Sequence, residues 1–189
     1  LKRIAVYCGA SRGKNPIYET HAIMLAKWIA SHRYGLVYGG GKIGLMGIVA
    51  DTVLNNGGSV TGIIPQFLVD REIAHPRLDQ LIVTEDMDVR KKKMMELSDC
   101  CIALPGGPGT LEEISEAVSW VRVGENDSPC IFYNVNGYYD LVAQFFDQMV
   151  SEGFLTQEDR AKVFFIDALD EIEKVISSYQ PPVVRKYAK

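Results

Sequence analysis

Three turns in the chain carry glycines at spacings suited to holding an anion. They are Cys8-Gly9-Ala10-Ser11, Gly39-Gly40-Gly41-Lys42-Ile43-Gly44-Leu45-Met46-Gly47 and Pro105-Gly106-Gly107-Pro108-Gly109-Thr110. Without a Cβ, backbone N–H groups approach an oxyanion closely, and a following helix adds a favourable dipole. One such turn alone reads as no more than a tight turn. Three at one sheet edge would form a phosphate cradle. Gly39-x-Gly41-x-x-Gly44 has the form of a dinucleotide fingerprint, but it follows the second strand, and the next strand ends Ile63-Ile64-Pro65 with no acidic residue for a ribose diol. Lys42 is followed by Ile43, so the Walker pattern of nucleoside triphosphatases is absent too. A nucleoside monophosphate or a sugar phosphate fits better.

Two charged residues depart from the pattern of their helices. On a helix over 86–97, Met87, Met94 and Leu97 form an apolar stripe with Arg90 inside it, while Lys92 and Glu96 point the opposite way. An arginine on a buried face needs an anionic partner or ligand; at a helix edge it can instead snorkel to water. Helix geometry alone admits both. On a helix over 111–123, Leu111, Ile114, Val118 and Val121 form the stripe, Glu113 lies at its edge, and Glu112 and Glu116 lie further out. Thr110-x-x-Glu113 has capping-box spacing, and on sequence alone the cap is favoured. A carboxylate in the first helical turn is also kept ionised by the dipole. That suits stabilising positive charge, or acting as nucleophile or base, better than acting as a general acid.

The elements that would position these residues alternate along the chain. Strands are expected over 3–8, 35–38, 59–64, 80–84, 100–104, 130–134 and 163–166. Helices are expected over 15–33, 43–54, 86–97, 111–123, 138–151 and 169–179. Residues 66–77 read as mixed and loop-rich, and 181–189 as a loose tail. Near-continuous apolar strands between helices imply right-handed βαβ units and a doubly covered parallel sheet. The expected fold is α/β, a single-domain Rossmann-like three-layer sandwich over 1–180 with a mainly parallel sheet, its ligand at the carboxyl ends of the strands.

Composition narrows the chemistry. With 189 residues, 47% hydrophobic and 23% charged, the chain has an ordinary globular make-up. Its net charge of −4 gives no general attraction to nucleic acid or anionic membrane. Cys8, Cys100, Cys101 and Cys130 form no Cys-x-x-Cys pair, and His21, His32 and His75 are not spaced for a metal. The chain opens into a strand pattern, and no apolar run reaches about 18 residues. A cytoplasmic protein without a bound metal is expected.

The motif Pro105-Gly106-Gly107-Pro108-Gly109-Thr110-Leu111-Glu112-Glu113 resembles the PGGxGTxxE signature of the Lonely Guy (LOG) family. Met87-x-x-Arg90-Lys91-x-x-Met94 and the Gly39–Gly47 turn are similar to that family's as well, and the likeness runs from Ile4 to about Ile176. The resemblance implies a cytokinin riboside 5′-monophosphate phosphoribohydrolase, which cuts the N-glycosidic bond of an N6-modified or plain adenosine monophosphate. It implies no cofactor, a nucleoside 5′-monophosphate as substrate, and a homodimer, for which the Met- and Trp-bearing helices could supply an apolar face. It also implies Arg90 and Glu113 as the catalytic pair, and Glu72, Arg90, Lys91, Gly106, Gly107, Gly109, Thr110 and Glu112 as substrate contacts. Ser11, Gly41, Gly44, Gly107, Gly109 and Thr110 would bind the phosphate. Pro108 stands where many relatives carry Tyr, and Cys100-Cys101 replaces a small or aliphatic pair. Relatives have been labelled possible lysine decarboxylases, but nothing in the chain resembles a pyridoxal phosphate site. Two other readings compete. Rossmann-like proteins of this shape can carry nucleotides or cofactors without chemistry, and glycine turns can merely shape loops in an assembly protein. Adenine released from AMP excludes the first, and stabilisation by AMP counts against the second.

Overall fold

The computed structural model describes residues 2–71 and 73–184. Seven strands form one sheet: β1 (Arg3–Tyr7), β2 (Gly35–Tyr38), β3 (Val60–Pro65), β4 (Gln80–Thr84), β5 (Cys100–Ala103), β6 (Cys130–Tyr133) and β7 (Val163–Ile166). Their order is β4-β3-β2-β1-β5-β6-β7, and every pairing is parallel. Among the described residues, eight α-helices accompany the sheet: α1 (Pro16–Ser31), α2 (Gly44–Asn55), α3 (Gln66–Val69), α4 (Met87–Glu96), α5 (Pro108–Val123), α6 (Asp140–Ser151), α7 (Gln157–Arg160) and α8 (Leu169–Ser178).

Side chains alternate across each strand, so the sheet builds two cores. Ile4, Val6 and Cys8 of one face join α1, α2 and Ile172 of α8. Ala5 and Tyr7 of the other join Met94 and Met95 of α4, Ile114 and Val118 of α5, and Phe146 of α6. The result is the expected Rossmann-like three-layer sandwich. All four cysteines are free and buried in it. Among the described residues, no helix is long and apolar enough to cross a membrane.

Local sequence sets the helix ends. Asn15 accepts the Ile17 N–H at 3.1 Å with Pro16 opening α1, and Asp86 accepts the Val89 N–H at 2.8 Å to open α4. The start of α5 corrects the expectation of 111. Pro108, whose fixed φ and missing N–H suit a first helical position, begins the helix, and Gly107 is its N-cap. Thr110 is therefore inside the helix and caps nothing. Leu111, expected in the core stripe, is exposed. The loop-rich stretch contains the single turn α3, and a further single turn, α7, also went unforeseen. Such short helices carry too few residues to show a period.

β1 is the point where the strand order reverses. The chain moves outward from β1 to β4, then returns to β5 on β1's other side. Helices above β1 and β5 therefore diverge and leave a crevice at the carboxyl ends.

Candidate active site

The crevice is built from backbone. The Gly9 N–H donates to the Pro105 carbonyl at 3.2 Å, joining the ends of β1 and β5. The Leu45 N–H at the start of α2 donates to the Gly9 carbonyl at 3.1 Å. Gly44 has φ +62°, and a Cβ there would run into the Ala10–Ser11 peptide, so only glycine lets these two turns close together. The resulting cleft of about 250 Å³ is lined by Ser11, Arg12, Tyr18, Gly106, Gly107 and Tyr138, among others. Nothing within 4 Å would meet a Cβ at Gly107 or Gly109, so the opening of α5 faces free space. The first N–H groups of a helix find no acceptor inside it, and no side chain at the Gly107 cap supplies one.

At the same carboxyl edge of the sheet, outside the lining of this cleft, stands a buried ion pair. Arg90 Nη1 donates to Glu113 Oε1 at 2.7 Å, with the two side chains only 8% and 10% exposed. The Arg90 Nε–H donates to the Ile63 carbonyl at 3.0 Å, which anchors the guanidinium to the end of β3. Arg90 is therefore partnered, not snorkelling. Glu113 is likewise bound to Arg90 rather than returned to Thr110, so the capping-box expectation fails. It stands in the second turn of α5, beyond the reach of the terminal dipole. Burial pushes its carboxyl above the ordinary carboxylate range, and Arg90 pulls it back down. Its ionised form thus depends on Arg90, not on the helix end. Burial pushes the Cys8 thiol well up, the Glu113 charge adds to that, and Arg90 opposes it.

Lys91 faces α5 as well. Its Nζ lies 2.7 Å from Glu116, 2.9 Å from Glu112 and 3.6 Å from Asp88. Glu116 and Glu112 raise its ammonium above the ordinary lysine value, against the opposing effect of burial. The structure thus joins Arg90 to Glu113 and Lys91 to Glu112, and gathers Ser11, Gly106 and Gly107 in one cleft. Thr110 is buried behind Gly106. Gly41 is buried beside Met46 and Ile73, away from the cleft lining, and its carbonyl accepts from the Tyr38 hydroxyl at 3.1 Å. Glu72, expected as a substrate contact, lies outside the described residues. Sequence reasoning missed Arg12, Tyr18 and Tyr138. The available signal for Tyr138 was Asn136-Gly137, a turn at the carboxyl end of β6 and so on the same sheet edge.

A family model described as "Possible lysine decarboxylase" matches residues 46–176. Cytokinin riboside 5′-monophosphate phosphoribohydrolase LOG5 of Arabidopsis thaliana is 42% identical over 181 residues, which is 96% of this chain and 79% of that protein. The chain belongs to the LOG family. LOG1 of the same plant, named for the same activity, is 41% identical over 96% of this chain and 85% of its own. A rice LOG protein, LOGL2, named as a probable enzyme of that activity, is 41% identical over 96% of this chain and 74% of its own. Among solved structures, the molybdenum cofactor carrier protein of Chlamydomonas reinhardtii superposes with a TM-score of 0.70 at 21% identity, covering 94% of this chain and 99% of that one. At that identity the likeness concerns the fold alone, and the LOG relatives carry the functional argument.

Proposed function

We propose that this LOG protein hydrolyses the N-glycosidic bond of adenosine 5′-monophosphate or its N6-modified forms, yielding the free base and ribose 5-phosphate. The observation that carries the reading is the buried Arg90–Glu113 pair at the same sheet edge as a glycine-lined cleft, together with relatives named for this activity. Breaking the bond from C1′ to the base builds positive charge on the ribose, and a fixed carboxylate stabilises it. Glu113 has that role. Arg90 holds Glu113 in place and in its ionised form. The 5′-phosphate, held by Ser11, Gly106, Gly107, Gly109 and the backbone of Thr110, supplies remote binding energy that orients the sugar. Gly44 contributes by bringing the Ser11 turn to α2, and Gly41 by shaping its own turn. Lys91 and Glu112 fix α4 against α5.

A homodimer is part of the proposal. Its apolar face lies between α5, which bears Trp120, and α6, which bears Met149. There a groove of about 440 Å³ is lined by Leu111, Val118, Leu141, Phe145 and Met149. Leu141 is 78% and Phe145 57% exposed, which fits a surface covered by a second copy. Four free thiols fit a reducing compartment, the cytoplasm.

Chromatography of AMP and adenosine incubated with the protein tests the activity. Adenine should appear from AMP and not from adenosine. Comparable turnover of both would remove the phosphate-cradle argument.

A further inference from the structure

Two consecutive tyrosines grip the phosphate loop from the neighbouring turn. Asn136 and Gly137 both adopt positive φ, at 54° and 70°. The Asn134 side chain braces the turn, accepting the Tyr139 N–H at 2.7 Å and donating to Asp140 at 2.7 Å. The Tyr139 hydroxyl donates to the Leu104 carbonyl at 2.7 Å inside the core. The Tyr138 hydroxyl donates to the Gly106 carbonyl at 2.6 Å. The two bonds fall on either side of Pro105. Tyr139 is 3% exposed, whereas Tyr138 is 42% exposed, lines the cleft and packs edge-on against Tyr18 with centroids 5.6 Å apart.

We propose that Tyr138 is a positioning residue for the substrate phosphate, an inference that rests on reading this cleft as the phosphate site. The Gly106–Gly107 peptide lies between two residues without Cβ atoms and so can rotate readily. A trans peptide is planar, so holding the Gly106 oxygen fixes the direction of the Gly107 N–H on its opposite edge. Gly107 is the N-cap of α5, and its N–H is one of the donors the helix leaves for an anion. The hydroxyl of Tyr138 thereby presets a donor that the phosphate uses. Tyr139 holds the same loop but does so in the core, where its bond serves stability.

Tyr138→Phe and Tyr139→Phe separate the two roles. For Tyr138→Phe, the KM for AMP and the inhibition constant of inorganic phosphate should both rise by roughly five- to tenfold, the worth of one preset hydrogen bond. Its adenine inhibition and melting temperature should stay near wild type. Tyr139→Phe should chiefly lower the melting temperature. A Tyr138→Phe protein with wild-type KM and phosphate inhibition overturns the inference, as does a KM rise matched by weaker adenine inhibition. A wild-type protein that neither cleaves AMP nor is stabilised by phosphate overturns the underlying reading of the cleft, and is recognised without any variant.

Discussion

Arg90 and Gly39 compete for one volume: the guanidinium Nη2 occupies the space a Cβ at position 39 would need. The glycine at the end of β2 thus makes room for the side chain that holds Glu113, rather than for a phosphate. Its φ is not left-handed, so the backbone itself accepts alanine.

Gly39→Ala should therefore fold and yet displace Arg90. A misplacement of about 1 Å in such a site costs roughly 10²-fold in rate. Base release and thermal melting measured together check this. The loss in kcat should be far out of proportion to any loss in melting temperature.

Glu113 holds its proton more tightly than an ordinary carboxylate because it is buried, and Arg90 works against that. If the ionised form is the working one, the acid limb of the pH profile of kcat/KM lies above the ordinary glutamate value of about 4.3. It moves further up in Arg90→Gln. The stability sign follows the same shift. A raised carboxyl favours the folded state most below its unfolded value, and that contribution is lost as pH rises through the raised one. An acid limb that stays put in Arg90→Gln would contradict the coupling.

Lys91→Met leaves Asp88, Glu112 and Glu116 facing one another without a cation. Glu112 is well exposed, so water screens part of the loss, and a cost of about 1–2 kcal/mol is expected in urea unfolding. Since the ammonium is raised, its contribution is intact at neutral pH and fades only as pH climbs well past about 10.4. A raised KM with unchanged stability would instead mark Lys91 as a direct substrate contact.

The apolar face between α5 and α6 should close on a second copy. Light scattering should give twice the 21.0 kDa chain mass for the wild type. Leu141→Glu with Phe145→Glu should give the monomer. A monomeric wild type would leave that face without the proposed partner.

Much of this was legible in the sequence, for physical reasons. Parallel strands here are short apolar runs, buried except at the β4 edge, so all seven appear within a residue or so of their observed bounds. The anomaly of Arg90 was visible because a charge interrupted a helical stripe. What no local pattern carries is the partner. Arg90 and Glu113 are 23 residues apart, and Tyr138 and Gly106 are 32 apart. Such contacts exist only once the sheet sets α4 beside α5 and β6 beside β5. The capping-box reading failed because two local rules conflicted. Thr-x-x-Glu spacing pointed to Thr110 as the cap, and Gly107-Pro108 started the helix three residues earlier. Leu111 misled for a related reason: apolar periodicity marks a face that is covered without saying whether this chain or another covers it.

The most direct measurement is base release from AMP and its N6-prenyl derivative by wild type and Glu113→Gln, each shown folded by thermal melting. The wild type should give free base and ribose 5-phosphate in equal amounts. Glu113→Gln, which keeps an oxygen facing Arg90, should lose at least roughly 10²-fold in kcat. A Glu113→Gln protein that works at the wild-type rate would contradict the account.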